Sequence, residues 1–169
     1  KDLGNIFRSP WKQRFFTLLG ERRHLDNLEQ DLIREPGAFD EPRIHFALNC
    51  ASIGCPMLRN EAYVGDRLNQ QLQDALSRFL GDRERNRFDS VSGTLQISKI
   101  FDWYEEDFSA NIAEGATLKG FLSSYASLMT DDAEAQRRLR AGDYRIEFLD
   151  YDWALNDQPN ETASSVNDQ

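Results

Sequence analysis

The chain has 169 residues, 40% of them hydrophobic, with 11 Phe, 5 Tyr and 3 Trp, which is enough for one sizeable core. Its formal net charge of -9, with Arg interleaved among Asp and Glu, argues against a nucleic-acid partner, because such binders draw their affinity from clustered cations. No apolar run reaches the roughly 20 residues that a membrane span needs, and two cysteines alone fix no redox compartment.

Arg14 to Leu19, then Gly20-Glu21, then Arg22 to His24 read as a hairpin. Leu25, Leu28, Leu32 and Ile33 recur at helical spacing, and Pro36-Gly37 ends that helix. Arg43 to Cys50 is predicted as a strand. Leu68, Leu72, Ala75, Leu76, Phe79 and Leu80 mark the longest helix, closed by Gly81. Thr94 to Ser98 is predicted as another strand, leading into the aromatic segment Ile100 to Phe108. Two helices follow, about Thr117 to Leu128 and Asp131 to Arg140, and a last strand runs from Tyr144 to Tyr151. Helices and strands do not alternate regularly. That predicts an α+β fold, a mixed or antiparallel sheet with helices packed on it, as a single domain over residues 1–155. Residues 156–169 are polar and predicted to form a flexible tail, within which Asn160-Glu161-Thr162 is a glycosylation acceptor triplet.

The chemistry concentrates in the segment that holds both cysteines. Side chains alternate across a strand, so Ile44, Phe46, Leu48 and Cys50 would share the core face, with His45, Ala47 and Asn49 on the other. Ala51 to Gly54 is a turn-forming run. Three readings of Cys50 and Cys55 stay open. A turn can bring their Cα atoms within the roughly 7 Å that a disulfide allows, and closing so short a loop stabilises by about 2 kcal/mol. Alternatively, Cys55 before Pro56 is a nucleophile with His45 as its base and Glu29 as a supporting carboxylate, since the thiolate is the reactive form. Geometry counts against that pair, because five residues of strand separate His45 from Cys50 by roughly 16 Å. The third reading is two buried thiols. Two Cys five apart with one usable His match no familiar zinc spacing, so no metal or other cofactor is expected.

His45 also suits a cleft, hydrogen-bonded to Glu29 or another carboxylate, or a half-buried structural role. Lys99, Asp102, Trp103 and Asp107 form a dense polar and aromatic stretch after a strand, where binding loops often lie. The plainer reading is a short helix anchored by Ile100, Phe101, Tyr104 and Phe108 with its charges in solvent. Trp103 beside carboxylates suits stacking of a sugar or peptide, and Tyr151 and Trp153 suit either contact or a plug over the sheet edge.

Several segments, in order, resemble the domain of unknown function 547 family: Arg43 to Cys50, Gly54-Cys55-Pro56, Leu95 to Tyr104 with Asp107-Phe108, and Tyr151-Asp152-Trp153. Leu28-Glu29 with Leu32-Ile33-Arg34 is similar to that family's helix before the His segment. The resemblance runs from about Phe7 to Asn156. Family members often carry His where this chain has Gln30, and usually an upstream helical segment with Asn-Ala-Tyr-Asn that is missing here. The resemblance implies that bacterial members are often exported, hence an extracytoplasmic location. The expected function is a domain that binds a small-molecule, peptide or protein ligand at a cleft bordered by His45, Glu29 and Trp103. The alternative is a thiol-dependent amide hydrolase or transferase.

Overall fold

In the computed structural model, which describes residues 9–110 and 117–156, the predicted hairpin forms from β1 (Phe16–Leu18) and β2 (Glu21–Arg23), Phe16 opposite Arg23. Gly20 turns the chain with φ 81°, a conformation that glycine adopts without a Cβ penalty. The next helix starts where His24 Nδ1 accepts the Asn27 backbone N–H at 2.9 Å. Over Asn27–Ile33 it is a π-helix, and Arg34 N–H closes onto the Glu29 carbonyl at 2.9 Å. These elements belong to the first of two compact units, Lys1–Glu41; the second is Pro42–Gln169.

The second unit corrects the predicted strand Arg43 to Cys50. Pro42–Phe46 is a 3₁₀-helix instead. Proline presets the φ of a first helical turn and gives up no hydrogen bond there, and the Ile44 carbonyl then accepts Ala47 N–H at 2.9 Å and Leu48 N–H at 3.0 Å. The sorting of side chains by strand parity goes with it: the consecutive residues His45 and Phe46 are both buried.

Helix α1 (Leu68–Gly81) lies where its apolar spacing puts it and buries Leu72, Ala75, Leu76, Phe79 and Leu80. Beyond its end, the wholly buried Asn86 donates from Nδ2 to the Phe79 carbonyl at 2.6 Å and accepts Ser98 N–H at 3.3 Å. That amide ties α1 to the sheet. Strand β3 (Arg87–Asp89) has no counterpart in the sequence reading, because three residues with charge on both flanks give no apolar alternation. It pairs antiparallel with β4 (Thr94–Ile97), through a turn that ends at Gly93 with φ 68°. Then come α2 (Ile100–Trp103), α3 (Glu105–Ala110), α4 (Leu118–Ser124), α5 (Ala126–Met129) and α6 (Ala133–Arg140). Thr117 and Asp132 cap α4 and α6, accepting the N–H groups of Gly120 (3.1 Å) and Ala135 (2.7 Å). The predicted helix from Thr117 to Leu128 is interrupted at Tyr125.

Strand β5 (Arg145–Phe148) is shorter than predicted and runs parallel to β4, Leu95 opposite Ile146 and Ile97 opposite Phe148. The sheet is therefore mixed, in the order β3-β4-β5, and the fold is α+β as the sequence predicts. The core gathers Phe46, Leu76, Phe79, Phe101, Phe108 and Phe121 with the inward residues of β4. The predicted tail and its Asn160 triplet lie outside the described residues, apart from Asn156, whose N–H bonds the Ala51 carbonyl at 2.9 Å.

Candidate functional site at the disulfide seam

Asn49 organises the cysteine loop from one side. Its Oδ1 accepts Ala51 N–H at 2.9 Å and its Nδ2 donates to the Pro56 carbonyl at 2.7 Å, so one side chain holds both ends of the loop. Cys55 N–H turns back to the Ser52 carbonyl at 3.1 Å. The two sulfurs stand at disulfide distance with Cα atoms 6.0 Å apart. Cys55 is the buried partner, at 3% exposure, and Cys50 is the more open one. That reverses the burial expected from strand parity, because the residues before Cys50 are not a strand.

The end of the chain is laced onto this loop. Ile53 N–H donates to the Ala154 carbonyl at 2.8 Å and Gly54 N–H to the Asp152 carbonyl at 3.0 Å, around an isolated bridge between Ser52 and Leu155. The Tyr151 hydroxyl reaches over the sulfurs: it lies 3.2 Å from Cys55 Sγ, 3.3 Å from Cys50 Sγ and 2.8 Å from Ser52 Oγ. Gly54 makes this approach possible, since a Cβ there would stand 2.7 Å from the Tyr151 ring. Trp103 and Trp153 complete an aromatic cluster on Tyr151, with ring centroids 4.7 and 4.6 Å away. Beside it lies a cavity of about 200 Å³ bordered by Ile53, Gly54, Arg85, Asp150 and Tyr151.

The other candidates fall in different places. Lys99 and Asp102 pair with each other at 2.6 Å, the Lys99 ammonium also lying 5.5 Å above the Phe148 ring. Asp107 meets His45, Nε2 to Oδ2 at 2.7 Å, and His45 stacks on Tyr104 with ring centroids 3.9 Å apart. His45 is only 4% exposed and also packs near Phe108. Asp107 is one carboxylate partner of His45, and Glu29 lies in the π-helix of the first unit. Trp103 and Tyr104, adjacent in sequence, thus face two different corners of one unit.

A smaller cavity of about 100 Å³ lies on the far side of Cys55, against Phe46, Arg59, Tyr63 and Arg78. Its cations are already engaged. Arg59 meets Glu61 at 2.8 Å and Asp74 at 2.5 Å, and Arg78 meets Asp74. The Arg59 guanidinium, then Gln71 and Arg67, hold the Glu61 carboxyl down at about 2. Arg59 likewise lowers the Asp74 carboxyl. Charges satisfied in this way leave little to attract an anionic ligand. Among the described residues, no three His, Cys, Asp or Glu side chains converge as a metal site would require. None of the described helices is long and apolar enough to cross a membrane.

Sequence reasoning singled out Cys50, Cys55, Trp103, Tyr151 and Trp153 but had no means of joining them. Ser52 and Gly54 it treated only as turn residues. Their signal was the pair of motifs Gly54-Cys55-Pro56 and Tyr151-Asp152-Trp153, which the fold brings face to face across 96 residues of chain.

In class, this is an acidic α+β protein in which a cysteine-bridged loop is sealed by the segment after the last strand. Residues 3–80 match the model of the family described as protein of unknown function, DUF547, the family that the motifs resemble. No curated protein and no solved structure matches the chain.

Proposed function

We propose that the protein is an extracytoplasmic ligand- or protein-binding domain whose contact surface is the rim of the disulfide seam. The observation that carries this reading is the concentration of exposed large apolar side chains there: Ile53, Met57, Trp103, Leu155 and, at 69% exposure, Trp153. Exposed apolar residues grouped on one surface mark interaction sites, and Trp and Tyr dominate binding energies where they anchor a partner. A bond between the two cysteines supports that location, because disulfides persist in oxidising compartments.

Tryptophan emission provides the test, since Trp103 and Trp153 both sit at the proposed surface. Panels of oligosaccharides and of peptides are titrated into the wild-type domain, then into the Trp103→Ala and Trp153→Ala variants. The expected result is a ligand whose affinity falls about tenfold or more in either variant, roughly 1.4 kcal/mol. Ligands that bind all three proteins equally would remove this surface from consideration. The alternative, a thiol-dependent amide hydrolase or transferase, needs a thiolate on Cys50 or Cys55 in the active protein. Iodoacetamide labelling of a sulfur in the non-reduced, folded protein would favour it.

A further inference from the structure

We infer that the Cys50–Cys55 pair is a thiol–disulfide exchange centre that reacts with a dithiol, with attack entering at Cys50 and Cys55 as the leaving sulfur. Three features of the seam assign the direction. Cys50 is the more open residue and Cys55 the buried one. The Cys50 N–H donates to Cys55 Sγ at 2.9 Å, and the Tyr151 and Ser52 hydroxyls lie over both sulfurs, 3.2 and 3.5 Å from Cys55 Sγ and 3.3 and 3.2 Å from Cys50 Sγ. The two hydroxyls are themselves 2.8 Å apart, so Ser52 can donate to the Tyr151 oxygen while Tyr151 donates to the sulfur. A chain of this kind polarises the terminal O–H and strengthens its bond to an anionic acceptor.

A sulfur in a disulfide is a poor acceptor, whereas a thiolate is a good one. The donors therefore stabilise the reduced form more than the bonded form, and exchange is faster when the leaving thiolate is the more stable. The steps balance as follows. One thiolate of the dithiol attacks Cys50 Sγ, a bond forms between those two sulfurs, and the Cys50–Cys55 bond breaks with its electron pair on Cys55. The second thiol of the dithiol, after losing its proton, attacks the mixed disulfide and expels Cys50. The dithiol is oxidised to its disulfide, and its two electrons and two protons end on Cys50 and Cys55. A sulfur bridge serving stability alone has no use for two hydroxyls and a backbone N–H gathered at its sulfurs. The apolar rim is not required by this inference, which stands apart from the binding reading.

The experiment equilibrates the folded wild-type protein with dithiothreitol and its oxidised form at graded ratios, and counts thiols by mass after alkylation. Circular dichroism verifies that the reduced protein remains folded. Alkylation rate against pH then locates the thiolate in the reduced protein. The expected wild-type result is one thiol titrating clearly below the ordinary value of about 8.5. Tyr151→Phe is expected to shift the exchange equilibrium about five- to tenfold toward the disulfide and to raise that thiol's titration. Ser52→Ala, which keeps the Tyr151 contact, is expected to do the same by a smaller factor, and serves if Tyr151→Phe does not fold. Two wild-type thiols titrating at or above the ordinary value would overturn the inference. So would equilibria that neither substitution moves. Exchange is read on thiols without any ligand and binding on tryptophan emission without any reductant, so a failed exchange test and a failed binding test point to different conclusions.

Discussion

His45 and Cys55 are equally hidden, at 4% and 3% exposure, but different kinds of neighbour hide them. Around His45 the neighbours are rings: Tyr104 stacked at 3.9 Å, Phe108 at 5.4 Å, and behind them Phe46, Phe101 and Phe121 in one continuous core. At the imidazole edge, Nε2 meets Asp107 Oδ2 at 2.7 Å. Around Cys55 the neighbours are backbone amides and hydroxyls, and the lid over it is the short segment from Tyr151 to Asn156. The first corner is fixed by buried area, which acts through many small contacts. The second is fixed by a few directional bonds, any one of which can be removed without emptying the core. Reactive groups therefore have more freedom to change state at the seam than in the core.

The harshest way to break this contrast is to open the core beside His45. Phe108 is fully buried and touches the rings of His45, Phe46, Phe101 and Phe121. Phe108→Ala is expected to cost about 3–5 kcal/mol, the usual loss for a buried phenylalanine. Urea denaturation followed by circular dichroism measures it. A cost under about 1 kcal/mol would mean that the core around His45 can collapse into the space left behind, and that it is held no more tightly than the seam.

A milder change sharpens the contrast from the other side. In Gly54→Ala the new methyl would meet the Tyr151 ring at 2.7 Å, so the ring and the segment that carries it must shift. Overpacking of this kind costs about 1–3 kcal/mol. The shift should also change the emission of Trp103 and Trp153, which pack on that ring, while the His45 corner keeps its hydrogen-exchange protection. Loss of protection around Phe108 as well would show that the two corners open together.

How much of this was legible in the sequence depends on the range of the signal. The first hairpin, α1 and β4 are local patterns, and the structure has them within a residue or two. The segment after Pro42 is also local, yet its apolar alternation Ile44, Phe46, Leu48 fits a strand and conceals a turn of three residues per repeat. The residue that decides it is Pro42 itself, a helix-start signal that lies one position outside the predicted strand. Asn86, and the pairing of Asp107 with His45, were out of reach for another reason. Asn86 matters because it bonds Ser98, 12 residues on, and Asp107 because it bonds His45, 62 residues back. Neither spacing follows from periodicity. The same holds for the seam, whose two motifs were recognised separately and whose meeting depends on the whole of α1 through β5.

The smallest expected effect tests a third kind of support, the ion pairs that follow the cysteine loop. Glu61 accepts from Arg59 at 2.8 and 3.0 Å, from Gln71 at 3.1 Å and from Arg67 at 3.1 Å. These partners, Arg59 first, lower its carboxyl from 4.5 to about 2. A carboxyl whose folded value lies below its unfolded value binds protons more readily in the unfolded chain. Its contribution to stability is therefore fully present above the unfolded value and is lost as the pH falls through the folded one. For Glu61 that window runs from 4.5 down to about 2. Glu61→Gln removes the titration but keeps an acceptor for Gln71. The melting temperature of the variant should lie slightly below that of wild type from neutral pH to about pH 5, because exposed ion pairs contribute little. The gap should then narrow steadily as the pH is lowered toward 2. A gap that keeps its full size down to pH 2 would mean that the carboxylate's charge contributes nothing, and that the side chain acts only as a hydrogen-bond acceptor for the loop.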